Sequence, residues 1–135
     1  MSIETLNAIH AAGLWTGLCV ILLLVLSALT SANRRKHSVS IGDGGKHEVA
    51  VASRAFGNAA EYIPAGICGL ILLAFVGAPP LLIHGVGGVL FAGRAIHALG
   101  LLFQKGPSLG RVTGMVLTWL ALLVASVSLI AWSVI

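Results

Sequence analysis

Charge is scarce in this chain: eight Lys and Arg and four Asp and Glu make up 9% of its 135 residues, against roughly a quarter in an ordinary soluble domain. With 58% hydrophobic residues and a mean hydropathy of +1.03, that scarcity excludes a soluble enzyme. Disorder is excluded as well, because disordered segments lack the apolar residues that abound here. Cysteine is equally sparse. Cys19 and Cys68 cannot staple a disulfide scaffold, form no CxxC, and read as buried packing thiols. None of the five His has a metal-like spacing with another His or Cys, so no metal is expected.

Long apolar runs take the place of charge. They cover approximately 11–30, 49–76, 81–103 and 112–135, and a bilayer crossing takes about 20 residues. Four crossings leave only short connections and no separate soluble domain. The chain therefore reads as a single all-α integral membrane domain over 1–135, a bundle of four transmembrane helices. A signal peptide is the competing reading of the first run, but such peptides carry positive charge before the apolar core. Here only Glu4 precedes it and Arg34-Arg35-Lys36 follow, which favours a retained helix. Gly77-Ala78-Pro79-Pro80 breaks the chain between the second and third spans. The polar linker from Ser31 to Glu48 holds Gly42-Asp43-Gly44-Gly45, yet Ser40 stands where a phosphate loop needs its first glycine, so a flexible turn is expected.

Arg34, Arg35, Lys36 and Lys46 fall between spans one and two, Lys105 and Arg111 between three and four, and the other loop and both ends contain no Lys or Arg. Short basic loops stay cytoplasmic, so both termini are expected on the non-cytoplasmic side. Anionic inner-leaflet lipid accounts for the net charge of +4, and no nucleic-acid partner is needed. Trp15 and Trp132 are expected as interfacial anchors and His84 as an interfacial residue. Glycines four apart, Gly13 with Gly17, Gly106 with Gly110 and Gly110 with Gly114, suit close helix approach.

Three charges lie inside the spans: Arg54, Glu61 and Arg94. Each costs roughly 2.5–3.5 kcal/mol on insertion scales, so each needs a partner. Arg54, Asn58 and Glu61 share one helical stripe. Counted from the inner loops, Glu61 and Arg94 both lie about 16 to 20 Å along their helices, so they can meet, with His97 near the level of Asn58 and Arg54. A buried ion pair that only fixes helix register, with Arg54 snorkelling, is the structural alternative. Two arginines and an asparagine around one carboxylate leave surplus positive charge, which points to an anionic ligand, and arginine grips carboxylates bidentately.

The run Arg54-Ala55-Phe56-Gly57-Asn58-Ala59-Ala60-Glu61-Tyr62-Ile63-Pro64 resembles the second-helix signature R-x-x-x-N-x-x-E-Y-x-P of the MAPEG family, the membrane-associated proteins in eicosanoid and glutathione metabolism. Gly93-Arg94-Ala95-Ile96-His97-Ala98-Leu99-Gly100 is similar to that family's third-helix segment. The resemblance implies a homotrimer in a bacterial inner membrane, with glutathione as co-substrate bound between subunits near the cytoplasmic side and a lipophilic second substrate arriving from the lipid. It implies that Arg54, Asn58, Glu61 and Tyr62 hold the tripeptide, that Arg94 braces or contacts it, and that Arg34 reaches a glutathione carboxylate. A thiol of pKa about 8.5 needs a nearby cation to become a nucleophilic thiolate at neutral pH. The resemblance assigns that catalytic role to Arg111, with Lys105 as the fallback. His97 and Leu101 stand where eicosanoid-making members have tyrosines, so this site has fewer hydroxyl donors. The implied activity is a glutathione transferase or peroxidase acting on lipophilic electrophiles or hydroperoxides. A non-catalytic accessory protein and a proton-coupled multidrug exporter are the alternatives. The exporter needs a carboxylate free to exchange a proton for a cation, whereas the cations around Glu61 would repel cationic drugs.

Overall fold

The computed structural model describes residues 2–103, 106 and 108–134. They form four helices, α1 (Ile3–Lys36), α2 (His47–Phe75), α3 (Pro80–Phe103) and α4 (Leu109–Ser133), with no strand among the described residues. All four are long and apolar enough to cross a membrane.

The first helix extends beyond the apolar run at both ends, and the causes are local. Ser2 caps it, its Oγ accepting the Thr5 N–H at 3.1 Å. Glu4 lies in the first turn and Arg34, Arg35 and Lys36 in the last, each sign at the end the helix dipole favours. The linker expected from Ser31 therefore begins six residues later, at His37. Its tip is a self-satisfied turn: Gly42, Gly44 and Gly45 adopt positive φ, and the Gly45 N–H donates to Asp43 Oδ1 at 2.9 Å. At the other end α2 closes with Gly77 at φ +82, and the Ala78 N–H reaches back to the Leu73 carbonyl at 3.0 Å. Pro80 then opens α3, where its missing N–H costs nothing.

α2 and α3 form the central pair, with α1 and α4 each packed on both; α1 and α4 do not touch. Ile63, Leu70, Leu73, Ile83 and Leu90 are fully buried in the shared core. The tightest approach joins α3 to α4 through glycine. A Cβ on Gly93 would stand 2.8 Å from Thr118 Oγ1 and 2.9 Å from the Thr118 N, and one on Gly110 would stand 3.3 Å from the Gly100 Cα. Gly110 and Gly114 thus serve close approach as their spacing suggests. Two other glycine expectations need correction. Gly106 lies outside any helix at φ +80, and a Cβ on Gly13 or Gly17 would meet nothing within 4 Å.

Trp15, expected as an interfacial anchor, joins two helices. Its ring lies against Gly87 and Gly88, and its Nε1 donates to His84 Nδ1 at 3.1 Å, holding α1 to α3. Cys19 is buried as expected, whereas Cys68 is exposed, because its side of α2 faces away from the core. Leu24 and Val25 on α1, and Leu123 and Ile130 on α4, are also exposed. Those flanking helices present apolar faces that lipid or another subunit must cover.

Candidate functional site

The stripe on α2 is real. Arg54 Nη1 donates to Glu61 Oε1 at 3.2 Å, and Asn58 Nδ2 donates to Glu61 Oε2 at 3.4 Å. The Arg54 and Glu61 side chains are both more than half exposed within the single chain.

Arg94 is placed differently from the expectation. It is 1% exposed and forms no ion pair with Glu61. Its Nη1 donates to Asn58 Oδ1 at 2.8 Å, so the Asn58 amide stands between guanidinium and carboxylate and joins them indirectly. The rest of the guanidinium turns toward α4. Nε donates to Thr118 Oγ1 at 2.7 Å, and Nη2 reaches the Gly114 carbonyl at 3.3 Å and Met115 Sδ at 3.4 Å. Tyr62 supplies a ring face, with Arg94 Cζ 5.0 Å from its centroid. The cause is geometric: Asn58 lies one turn from Glu61 on the same face, and glycine brings the α4 backbone within reach of a long side chain. Every one of these acceptors is neutral, so the Arg94 charge is solvated by dipoles and left without a carboxylate partner.

Three of those partners, Gly114, Met115 and Thr118, were not anticipated from sequence. Gly110, Gly114 and Thr118 form a ladder of small residues four apart, and that was the available signal for where α4 would meet α3.

Beside this network opens a cavity of about 430 Å³, within the usual range for small-molecule sites. Arg54 and Asn58 from α2, His97 from α3, and Ser108 and Arg111 from the start of α4 form its polar wall. Val112, Met115, Val116 and Trp119 form an apolar one. Ser108 caps α4, its Oγ accepting the Arg111 N–H at 3.2 Å. Arg111 therefore sits in the first turn of a helix whose dipole also favours an anion. Its Nη1 donates to the Gly106 carbonyl at 3.0 Å. His97 is 8% exposed, one turn along α3 from Arg94. Glu61 and Tyr62 lie outside the lining, in the network behind Arg54 and Asn58.

Arg34 is not brought to this cavity within one subunit. It stands in the last turn of α1, which makes no contact with α4, and its Nη1 donates to the Ser40 carbonyl at 3.2 Å. Lys105 lies outside the described residues. A larger recess of about 510 Å³ between α3 and α4, near Pro79, is lined by aliphatic side chains such as Leu82 and Val124 and offers no charged side chain.

The family's sequence model matches residues 12–131, from α1 through nearly all of α4. The chain belongs to the MAPEG family. Among MAPEG-like relatives, the inner membrane protein YecN of Escherichia coli K12 is 38% identical over 112 residues, covering 83% of this chain and 84% of that protein. The YecN of E. coli O6:H1 matches to the same extent. No solved structure matches the chain. The MAPEG-type signature on α2 is thus the segment that supplies Arg54 and Asn58 to the cavity and Glu61 and Tyr62 to the network behind it.

Proposed function

We propose that this MAPEG protein binds glutathione in the cavity between α2, α3 and α4 and joins it through its sulfur to lipophilic electrophiles, or reduces lipophilic hydroperoxides with it. The observation that carries this reading is the charge of the site. Arg54 and Arg111 line the cavity and Arg94 lies directly behind Asn58, against the single carboxylate of Glu61. Two positive charges are left over. Glutathione carries two carboxylates and one ammonium at neutral pH, and with its thiol ionised it has two net negative charges. The site therefore complements the thiolate form better than the thiol, the condition under which a binding site promotes the reaction.

The two walls divide the work. Arg54 and Asn58 hold charged and amide groups of the tripeptide, backed by Glu61 and Tyr62, while Arg94 fixes the Asn58 amide from behind. Arg111, aided by the α4 dipole, faces the sulfur and stabilises the thiolate. Val116 and Trp119 offer an apolar surface for the second substrate, which partitions from lipid. A cation exporter would need an open anionic site, and here Glu61 is tied to Arg54 and the cavity is cationic.

The same reading includes assembly and placement. The apolar faces of α1 and α4 are covered by neighbouring copies in a homotrimer, and a neighbour's α1 brings the partner subunit's Arg34 to the open side of the cavity. Placement in an inner membrane, as named for YecN, with both termini non-cytoplasmic, puts the basic linker and the cavity mouth on the cytoplasmic side.

Thermal unfolding of the detergent-purified protein tests the reading. Binding to the native state raises stability in proportion to the logarithm of ligand excess, about 2.7 kcal/mol at a hundredfold excess over Kd. Millimolar glutathione is expected to raise the Tm, and Arg54→Gln or Glu61→Gln to abolish the rise. Absence of any rise with the unaltered protein would remove the proposal.

A further inference from the structure

A separate cavity of about 250 Å³ opens where α1, α2 and α3 meet, at the end of the bundle that carries the basic linker. It shares no lining residue with the cavity beside α4. Its polarity changes with depth. Asn33 in the last turn of α1 and His47 and Glu48 in the first turn of α2 form the rim. Leu29, Val51 and Ala52, each one turn further in, form an apolar floor with Leu102 and Phe103 at the end of α3. One helical turn, about 5.4 Å, thus separates charge from hydrocarbon, as in a phospholipid between headgroup and acyl chain. The walls are tied together beside it, because Thr30 Oγ1 donates to the Ala52 carbonyl at 3.0 Å. Val25, one turn below Leu29 and 58% exposed, continues the apolar track along α1.

The rim suits a zwitterion. The Glu48 side chain is 60% exposed, and its contact with His37 Nε2, at 3.9 Å, is beyond hydrogen-bond length, so the carboxylate keeps sites for an outside N–H donor. The basic groups acting on it are Lys36, His37 and His47. Asn33 Nδ2 donates to the Leu29 carbonyl at 2.9 Å, and its second N–H remains for a ligand. One carboxylate set among basic groups matches an ammonium and a phosphate held a few atoms apart. A purely anionic headgroup would bring like charge to Glu48, and a trimethylated ammonium has no N–H to donate.

We propose that this cavity holds one phospholipid with a primary-ammonium headgroup, of the phosphatidylethanolamine class. The ammonium donates to Glu48, the phosphate faces Lys36, His47 and Asn33, and an acyl chain lies over Leu29, Val51 and Leu102 and runs on past Val25. The lipid joins the ends of three helices and acts as a stabilising ligand rather than a substrate. Nothing in this proposal depends on the glutathione reading.

Thermal unfolding of the delipidated protein in detergent tests it, with added phosphatidylethanolamine, phosphatidylcholine or phosphatidylglycerol of identical acyl chains, and with glycerophosphoethanolamine, which has the headgroup and no acyl chains. Binding to the native state raises the Tm. Phosphatidylethanolamine is expected to reach half of its full effect at a concentration about tenfold lower than either other lipid, the weight of one charge-assisted hydrogen bond. The headgroup without acyl chains is expected to have no effect at the same concentration. Glu48→Gln, at an exposed side chain, should unfold near the unaltered protein without lipid and should bring phosphatidylethanolamine level with phosphatidylcholine. The proposal is overturned if no lipid raises the Tm, if the three lipids act alike on the unaltered protein, if phosphatidylglycerol or phosphatidylcholine acts more strongly, if glycerophosphoethanolamine alone gives the same rise, or if Glu48→Gln keeps the preference. The lipid series on the unaltered protein decides even if the variant folds poorly.

Discussion

Thr118→Val tests whether α4 is needed to hold the buried arginine. Thr118 is fully buried; its Oγ1 accepts from Arg94 Nε at 2.7 Å and donates to the Gly114 carbonyl at 2.8 Å. Valine keeps the branched shape and replaces the hydroxyl with a methyl group, leaving a charged N–H facing hydrocarbon. Hydrogen bonds to charged groups contribute about 1.5–3 kcal/mol in soluble proteins. Polar contacts between membrane helices average about 0.6 kcal/mol, with a maximum near 1.7. A short, buried bond to a guanidinium without a carboxylate partner belongs at the upper end of the second range, so the loss is about 1.2–1.7 kcal/mol, roughly 8- to 18-fold in the folding equilibrium. Reversible unfolding in mixed micelles measures it, with Ser126→Ala as the control. Ser126 Oγ donates to the Leu122 carbonyl at 2.7 Å on an exposed face, and its loss should stay within about 0.5 kcal/mol. If Thr118→Val is no more costly than Ser126→Ala, the buried network is not what positions Arg94.

Gly114→Ala should lower stability by about 1–3 kcal/mol through overpacking, since the added Cβ would stand 2.6 Å from the Gly93 carbonyl oxygen and displace backbone. Gly85→Ala, where a Cβ meets nothing within 4 Å, should be neutral or stabilising by up to about 1 kcal/mol from helix propensity; equal losses in thermal unfolding would refute the close α3–α4 crossing. Asn58→Ala removes the amide that joins Arg94 to Glu61 and should abolish the glutathione-dependent rise in Tm, while retention of the full rise would show the bridge to be dispensable. Trp15→Phe keeps most of the ring packing and loses the bond to His84, a cost of about 1 kcal/mol. A double-mutant cycle with His84→Leu should show that the two losses are not additive, and full additivity would mean that the bond contributes nothing.

The second-helix site was legible because a helix has a fixed period. Arg54, Asn58 and Glu61 fall on one stripe for any straight helix, and the bonds among them need no other element. The depth count likewise brought His97 to the level of Asn58 and Arg54, and all three line one cavity. The same count paired Arg94 with Glu61 and missed the bridging amide. Depth fixes height in the membrane but not the rotation of one helix about its axis relative to another. For α1 the hydropathy pattern marked the apolar run and overlooked the flanking turns, which Ser2 and the basic C-terminal residues stabilise without any apolar contribution.

Sequence alone determined that the chain forms four apolar helices and which groups share the α2 face, because both follow from local periodicity and the cost of leaving charge or backbone unsatisfied in lipid. Tertiary structure decided that α4, rather than Glu61, completes the shell of Arg94, that Arg111 and His97 face one cavity, and that Arg34 stands apart from it within a subunit. Those outcomes depend on how closely and at what rotation two helices cross. At the α3–α4 crossing that is settled by the fit of Gly93, Gly110 and Gly114 against their neighbours, which exists only once the helices have met.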